Sequence, residues 1–387
     1  MNYVVGRPLR VLFWTDWFHP SIGGVEVFSA RLLPELARRG HEITVVAGHH
    51  CSGLPGETDL MGVTVRRFLF HQALAAGDLE WVSGTLRQVS RLKQELRPDI
   101  VHLNTLGPSV LFHLASSRHC PVPVLLTMHS PVMADAERSD TLYGQALRSA
   151  LWVNCNSHAV HADLCRRVPE MRAHSSVTYY GMDAPALQPA PRPHADPVVL
   201  GLGRLVPEKG FDLAIQAFAD VVHRFPRARL LIAGEGAARP ELERLVEACG
   251  ISEVVEFMGT VASAEIPALI NMASVIVVPS RWDEPFGLVA LEAALMARPV
   301  VAARVGGLTE AVEHGASGLV VNREDPAALA NAVMQLLADP ATADRMGLSA
   351  RERARRLFAF DRCVDEYERL YDLSRHAAFA PRSPRLT

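Results

Sequence analysis

Lysine is nearly absent from this sequence. Of 39 basic residues only Lys93 and Lys209 are lysines; the rest are arginines. A phosphate-binding P-loop needs Lys followed by Ser or Thr, and here Gln94 and Gly210 follow, which excludes a P-loop NTPase. The six cysteines (51, 120, 155, 165, 249, 363) contain no Cys-x-x-Cys. That excludes a zinc ribbon or disulfide framework and fits the reduced thiols of a cytoplasmic protein. No apolar run reaches the roughly 18 residues needed to cross a bilayer, and the N-terminus lacks the charged, apolar and small-residue succession of a signal peptide. Asp-x-Asp, a common way to hold a divalent ion, occurs nowhere, so no metal is expected. A large excess of either charge is also missing: 39 basic residues face 42 acidic ones, for a net charge of −3. This argues against a dedicated nucleic-acid binder. What is present is 49% hydrophobic and 21% charged residues in a chain of 387. That is enough apolar material for two domains, or three, each with its own core.

Apolar runs alternate with helical periodicity, the pattern of an α/β protein with parallel sheets. Strands are expected at Leu9–Trp17, Glu42–Ala47, Val63–Leu69, Ile100–Leu103, Val124–Met128 and Trp152–Asn154, with helices at Val25–Arg39, Leu79–Leu96 and Ser109–Ser117. Residues 184–197 hold five prolines in fourteen positions. Proline cannot continue a helix or donate to a ladder, so an extended linker is expected there. The alternation then restarts with strands at Val198–Gly201, Ala228–Ala233, Val254–Phe257, Ser274–Val278 and Pro299–Ala303. A last helix is expected over 362–373 and a mobile tail over 376–387. The reading is two doubly wound Rossmann-like domains, 1–183 and 198–361, facing across a cleft. Ligands of such sheets bind beyond the carboxyl ends of the strands.

Several motifs fall at such ends. Gly23-Gly24 lies between the first strand and first helix, where a ligand can approach the backbone and free N–H groups attract an anion. The alternative is a tight turn. GLGRLVPEKGFD, residues 201–212, holds the corresponding place in the second half. Arg204 and Lys209, two cations beside a helix start, suit a diphosphate. In a chain so poor in lysine, Lys209 marks a position where a compact, strongly hydrated ammonium is wanted. Lys93, in RLKQELRPD, reads as solvated surface. Gly234-Glu235-Gly236 follows the strand at Ala228–Ala233 and is either a site loop or a plain turn. In PSRWDEPFGLVALE, residues 279–292, Pro285 suits a first helical turn. Phe286, Gly287 and Leu288 then offer backbone N–H groups. Glu284 and Glu292 are too far apart on one helix to form a carboxylate dyad. Glu292 sits in an apolar run where an unpaired charge is costly. Gly306-Gly307 is a further turn of close backbone approach, with Glu310 after it. His129 stands just past a strand end. His19, His102 and His158 are weaker candidates, and a lone histidine is more often structural.

Gly23-Gly24-Val25-Glu26, His129, Gly203-Arg204-Leu205, Glu208-Lys209-Gly210, Gly234-Glu235-Gly236, Glu284-Pro285-Phe286-Gly287 with Glu292, and Gly306-Gly307 occur in this order. Together they resemble the GT4 family of retaining nucleotide-sugar glycosyltransferases, of GT-B architecture, over about residues 8–373. The resemblance implies that the second domain binds a nucleotide diphosphate-sugar as co-substrate, with no other cofactor. It implies that Arg204 and Lys209 neutralise the diphosphate, Glu292 holds the ribose and Glu284 meets the donor sugar. The backbone around Phe257-Met258-Gly259 would hold the base. Gly24 would approach the phosphate and His129 would contact the sugar near the reacting carbon, and the last helix would cross back onto the first domain. Two departures stand out: Tyr180-Gly181-Met182-Asp183 replaces Asn-Gly-Val-Asp, and Thr309 stands where proline is usual.

The acceptor is left open: a sugar, a lipid-linked sugar or a small molecule. The helix Leu79–Leu96 carries Trp81, Arg87, Arg91 and Lys93. It reads either as a solvated face or as a peripheral contact with the inner face of the cell membrane. Alternatives to a transferase are a catalytically silent sugar-nucleotide-binding partner and a phosphorylase-like enzyme, for which Lys209 would be the only Schiff-base candidate.

Overall fold

A computed structural model describes residues 7–21, 23–50 and 53–379. The chain forms two compact units. One holds the chain up to Thr178 and again from Cys363, and the other spans Tyr179–Arg362.

The first unit contains strands β1 (Arg10–Thr15), β2 (Glu42–Gly48), β3 (Glu57–Leu60), β4 (Val63–Phe68), β5 (Ile100–Leu103), β6 (Val124–Met128), β7 (Trp152–Cys155) and β8 (Ser175–Val177). Its helices are α1 (Gly24–Arg38), α2 (Phe70–Ala76), α3 (Leu79–Leu96), α4 (Val110–Ser117), α5 (Ala134–Glu137), α6 (Leu142–Ser149) and α7 (His158–Arg167). The sheet runs β3-β4-β2-β1-β5-β6-β7-β8. It is parallel except for β3, which pairs antiparallel with β4. β3 is the polar segment ETDL. Its charged, half-exposed residues suit an edge and carry no apolar run by which sequence reading finds strands. Strand order reverses between β1 and β5, the switch point where doubly wound sheets bind ligands.

The second unit contains β9 (Val198–Leu202), β10 (Arg229–Ala233), β11 (Val255–Gly259), β12 (Val275–Val278), β13 (Val300–Ala303) and β14 (Gly318–Val321). Its helices are α8 (Phe211–Arg224), α9 (Arg239–Ala248), α10 (Ile266–Asn271), α11 (Leu288–Leu295), α12 (Leu308–Ala311), α13 (Pro326–Ala338) and α14 (Pro340–Leu357). The sheet is wholly parallel, in the order β11-β10-β9-β12-β13-β14, with its switch point between β9 and β12. β12 and β13 read VIVV and VVAA because both faces of the sheet are covered by helices.

The last helix, α15, runs Phe360–Phe379, longer than the 362–373 read from periodicity. The expected tail from 376 therefore begins inside a helix, and its part beyond 379 lies outside the described residues. α15 packs on the first unit. Tyr371 Oη lies 3.0 Å from His102 Nδ1 and Tyr367 packs on Phe28. Arg39 bridges Asp365 and Glu368.

The proline-rich stretch 184–197 has no regular structure but is not a free linker. Arg192, 5% exposed, reaches Asp344 (2.6 Å) and the carbonyls of Ser274 and Pro340. Arg298, 1% exposed, reaches the carbonyls of Ala190 and Asn271. Proline removes donors from this strap, and two buried guanidiniums, one of them its own Arg192, tie it to the carbonyls of neighbouring segments.

Candidate functional site

The carboxyl edge of the second sheet gathers the loops that follow its strands. Loops after β9 and β10 are laced together: Gly203 N–H donates to Ala233 (2.9 Å), Leu205 N–H to Glu235 (2.9 Å) and Gly234 N–H to Gly259 (2.8 Å). Gly234, Glu235, Gly236, the exposed Met258 and Gly259 thus form one rim, with Arg204 beside it. Arg204 is exposed and has no ion-pair partner among the described residues.

Lys209 ends a short turn, Pro207–Lys209, before α8. Gly210 follows at φ 70°, and a Cβ there would lie 2.2 Å from the carbonyl of Pro279, so only glycine lets the turn approach the loop after β12. That loop brings Glu284. Its carboxylate is 6% exposed, pairs with the Lys209 ammonium and accepts from Ser280 Oγ at 2.7 Å. The Trp282 ring stands 5.8 Å from the Lys209 ammonium. Gly306 and Gly307 press on the same loop. A Cβ on Gly306 would come within 2.3 Å of the Glu284 carbonyl, to which Gly307 N–H donates at 2.7 Å. Arg281, which the sequence reading passed over, fastens the two loops. It makes a bidentate pair with Asp212 (2.5 and 2.6 Å), binds Glu324 and donates to the Pro207 carbonyl. One arginine among thirty-seven gives no sequence signal.

Helix α11 starts at Leu288 with Gly287 as its cap, and no side chain satisfies its first N–H groups. Pro285 therefore lies three residues before the helix rather than in its first turn, and Glu284 sits in the loop rather than at the helix start. Gly287 and Leu288 stand at the start of α11. The Phe286 ring does not face the rim. It is 1% exposed and packs against Tyr179, Tyr180 and Phe358. Tyr180, in place of the usual asparagine, fills this cluster. Thr309 is exposed and closes a local turn onto the Gly306 carbonyl. Glu310 accepts from Tyr179 Oη at 2.9 Å. Glu292, half-buried on α11, has no ion pair among the described residues, and loss of solvent raises its carboxyl to about 7.

In the first unit, Gly23 caps α1 without a side-chain hydrogen bond, and the Glu26 carboxylate folds back against it, 2.2 Å from where a Cβ on Gly23 would lie. His129 follows β6 and is 9% exposed. Its Nε2–H donates to Asn104 Oδ1 at 2.9 Å, and Asn104 Nδ2 donates to Ser29 Oγ on α1 at 3.2 Å. The Asn104 amide oxygen takes the Nε2 proton, which sets the imidazole tautomer. Burial lowers His129 to about 3, so it works as a neutral ring. Asn104, at the end of β5, was not singled out from sequence; a strand-end position is its only signal. His102 is structural. It is fully buried between Thr127 Oγ1 (2.8 Å) and Tyr371 and is lowered to about 3 by burial. His19 and His158 are exposed.

Lys93 is a correction. It is not solvated surface but fully buried. It donates to His113 O (3.2 Å) and Ser117 Oγ (3.0 Å), with the Trp14 ring 5.5 Å away. Helical periodicity puts it on the same face as Val89 and Leu92, and the surrounding charges hid that face. Trp81, Arg87 and Arg91 remain exposed on α3. Among the described residues no helix is long and apolar enough to cross a membrane.

Comparison with known proteins agrees with this fold. Residues 22–184 match the profile described as Glycosyltransferase Family 4, and residues 186–353 match Glycosyl transferases group 1. An alpha-D-kanosaminyltransferase from Streptomyces kanamyceticus is 31% identical over 82% of this chain and 86% of its own length. A D-inositol 3-phosphate glycosyltransferase from Catenulispora acidiphila is 31% identical, with 86% of each chain covered. The crystal structure of Anabaena HepE in complex with UDP and glucose superposes with a TM-score of 0.77 at 22% identity, covering 94% of this chain and 99% of that one. With two Rossmann-like units, the rim just described and these relatives, the chain belongs to the family 4 glycosyltransferases and has the GT-B fold.

Proposed function

We propose that this protein transfers a glycosyl group, with retention and without a metal ion, from a nucleoside diphosphate-sugar to an acceptor hydroxyl. The observation that carries this reading is the Lys209–Glu284 pair, set between glycine-shaped loops at the second sheet's switch point with Arg204 exposed beside it. Breaking the glycosidic bond leaves negative charge on the diphosphate. Lys209 and Arg204, with the uncapped N–H groups of α11, offset that charge where a divalent ion does so in other enzymes. Glu284 holds the ammonium in place until the phosphate arrives and then faces the sugar hydroxyls. Glu292 accepts from the ribose. His129, neutral and fixed by Asn104, offers a hydrogen bond to the sugar. No side chain is assigned as a nucleophile. The departing phosphate takes the acceptor's proton on the same face from which the bond broke.

The structure of a UDP complex among its fold relatives supports a nucleotide-sugar donor. Relatives named for an inositol phosphate or a phosphatidylinositol monomannoside support a cyclitol, sugar or lipid-linked acceptor. A screen of UDP-, GDP- and ADP-sugars for donor turnover, run with metal-stripped enzyme in EDTA, tests the reading. Turnover of at least one donor in EDTA is expected. Turnover that appears only when Mn²⁺ or Mg²⁺ is restored overturns the metal-free assignment.

A further inference from the structure

β4, β2 and β1 are neighbours in the first sheet and run parallel, so their carboxyl ends share one edge. Each delivers an aromatic ring there. Trp17 follows β1, His50 follows β2, and His71 opens α2 just after β4. The Trp17 and His50 rings stack at 3.5 Å with 15° between their planes. His71 closes the group, 4.7 Å from His50 and 6.2 Å from Trp17.

The cluster is anchored from below by Asp16, which is 3% exposed. Its carboxylate accepts from His71 Nε2 (3.0 Å), Ser109 N (3.1 Å) and Ser109 Oγ (3.0 Å), and its carbonyl accepts from His50 Nε2 (2.7 Å). Trp14 Nε1 donates to Ser109 Oγ at 2.9 Å, tying the anchor to the core. Both imidazoles are thus held through Nε2, and the Nδ1 of His71 has no partner among the described residues. Trp17 stays 47% exposed although everything beneath it is fixed.

A single exposed tryptophan needs no explanation. Three rings converging at a sheet edge, with a buried carboxylate setting one of them as an acceptor, have the composition of a small-molecule site: apolar faces with a few placed polar groups. The same edge continues through β5 to β6, which His129 follows. From β1 to β6 is two strand spacings, about 10 Å, so the cluster lies beside the reacting position and not on it.

We propose that Trp17, His50 and His71 form the acceptor-recognition platform, and that the acceptor carries a hydroxylated six-membered ring. The ring's C–H face rests on the Trp17 indole, and one hydroxyl donates to His71 Nδ1. This rests on the transferase reading and adds the chemical class of its acceptor. A pyranoside and a cyclitol share this chemistry, and the test separates them.

Saturation-transfer NMR on the full chain, with methyl α-D-glucopyranoside and myo-inositol as separate probes, tests the platform. Saturation of the C–H protons of at least one probe is expected. Trp17→Ala should weaken that binding at least tenfold, Trp17→Phe should restore most of it, and His71→Ala should weaken it as well. The probe that binds identifies the ring. Equal saturation in Trp17→Ala and native protein, or no saturation of either probe, overturns the proposal. Binding of UDP, GDP and ADP is measured on the same samples. Unchanged nucleotide binding in Trp17→Ala shows that the variant is folded. If native protein binds no nucleoside diphosphate, the transferase reading fails independently of the platform.

Discussion

Lys93 lies in the first unit with no exposed surface and no carboxylate partner among the described residues. Lys209 lies in the second unit with a 23% exposed side chain and a buried carboxylate against it. These are the only two lysines in the chain, and their surroundings give them opposite properties. Around Lys93 are an indole face, a backbone carbonyl, a hydroxyl and His113. Burial lowers its ammonium to about 7, and nearby Cys120 opposes this only in part. An amine there is a packing element that half gives up its proton. Lys209 keeps a counter-charge and access to solvent, so it holds a positive charge that a phosphate can reach. Rarity of a residue type therefore marks one buried structural position and one position proposed to meet the donor, and only burial and partners tell them apart.

The largest expected effect separates the two directly. Lys209→Ala should cost ~10²–10³ in kcat, the usual loss for removing one preorganised charge stabiliser, while Lys93→Met leaves turnover of the same donor within twofold of native. Lys209→Arg should also be poor, because a planar fork does not replace a point charge held against Glu284. Near-native turnover of Lys209→Ala at saturating donor removes the distinction.

The next effect carries the comparison to the first unit's own site. Asn104→Ala removes the acceptor of the His129 Nε2–H. It should lower kcat on the order of 10²-fold, as expected for a misplaced reacting group, with donor KM nearly unchanged. Steady-state kinetics read the split, and a rise in KM alone contradicts a positioning role for Asn104.

Glu292 supplies a pH-dependent counterpart. With its carboxyl near 7, it is mostly neutral at pH 6 and mostly ionised at pH 8. In the proposed donor complex the ionised form accepts from the ribose hydroxyls. Donor KM should therefore fall by up to about tenfold from pH 6 to pH 8, and Glu292→Gln should flatten the profile. An unchanged slope in that variant places the titrating group elsewhere.

The smallest functional effect is a change of stability at Lys93. Its folded value, about 7, lies below the unfolded value of 10.5. Burying the charged form is therefore destabilising in full below pH 7, and the penalty is relieved as pH rises from 7 towards 10.5. Lys93→Met should raise Tm by several degrees at pH 6 and much less at pH 9. A Tm gain equal at both values contradicts a charged, desolvated Lys93.

How much of this was legible depends on what each feature needs. Buried parallel strands such as Val124–Met128 and Ile100–Leu103 announce themselves as apolar runs, and both match the reading residue for residue. So does α3, whose start is set by local capping: Asp78 accepts from its first N–H groups. A left-handed Gly210 likewise sets the start of α8. The edge strand β3 and the short α5 and α6 have weak local patterns and form because the rest of the unit is there to pack on. At the site, glycines and the rare lysine pointed to Lys209, Gly210, Glu284 and Gly306. Partners that act through tertiary contact, such as Arg281, Asn104 and Asp16, have common residue types and no local signature. The proline-rich strap was legible as extended chain, but its two buried arginine clamps were not.

The central claim is that Lys209, at the second sheet's edge, is the cation that meets the donor diphosphate. Titration calorimetry with UDP, GDP and ADP on native, Lys209→Ala and Lys93→Met protein tests it without requiring the acceptor. The account predicts that native and Lys93→Met protein bind one of the three nucleotides with the same affinity, and that Lys209→Ala binds it at least tenfold more weakly. Equal affinity of native and Lys209→Ala protein for that nucleotide would contradict the account.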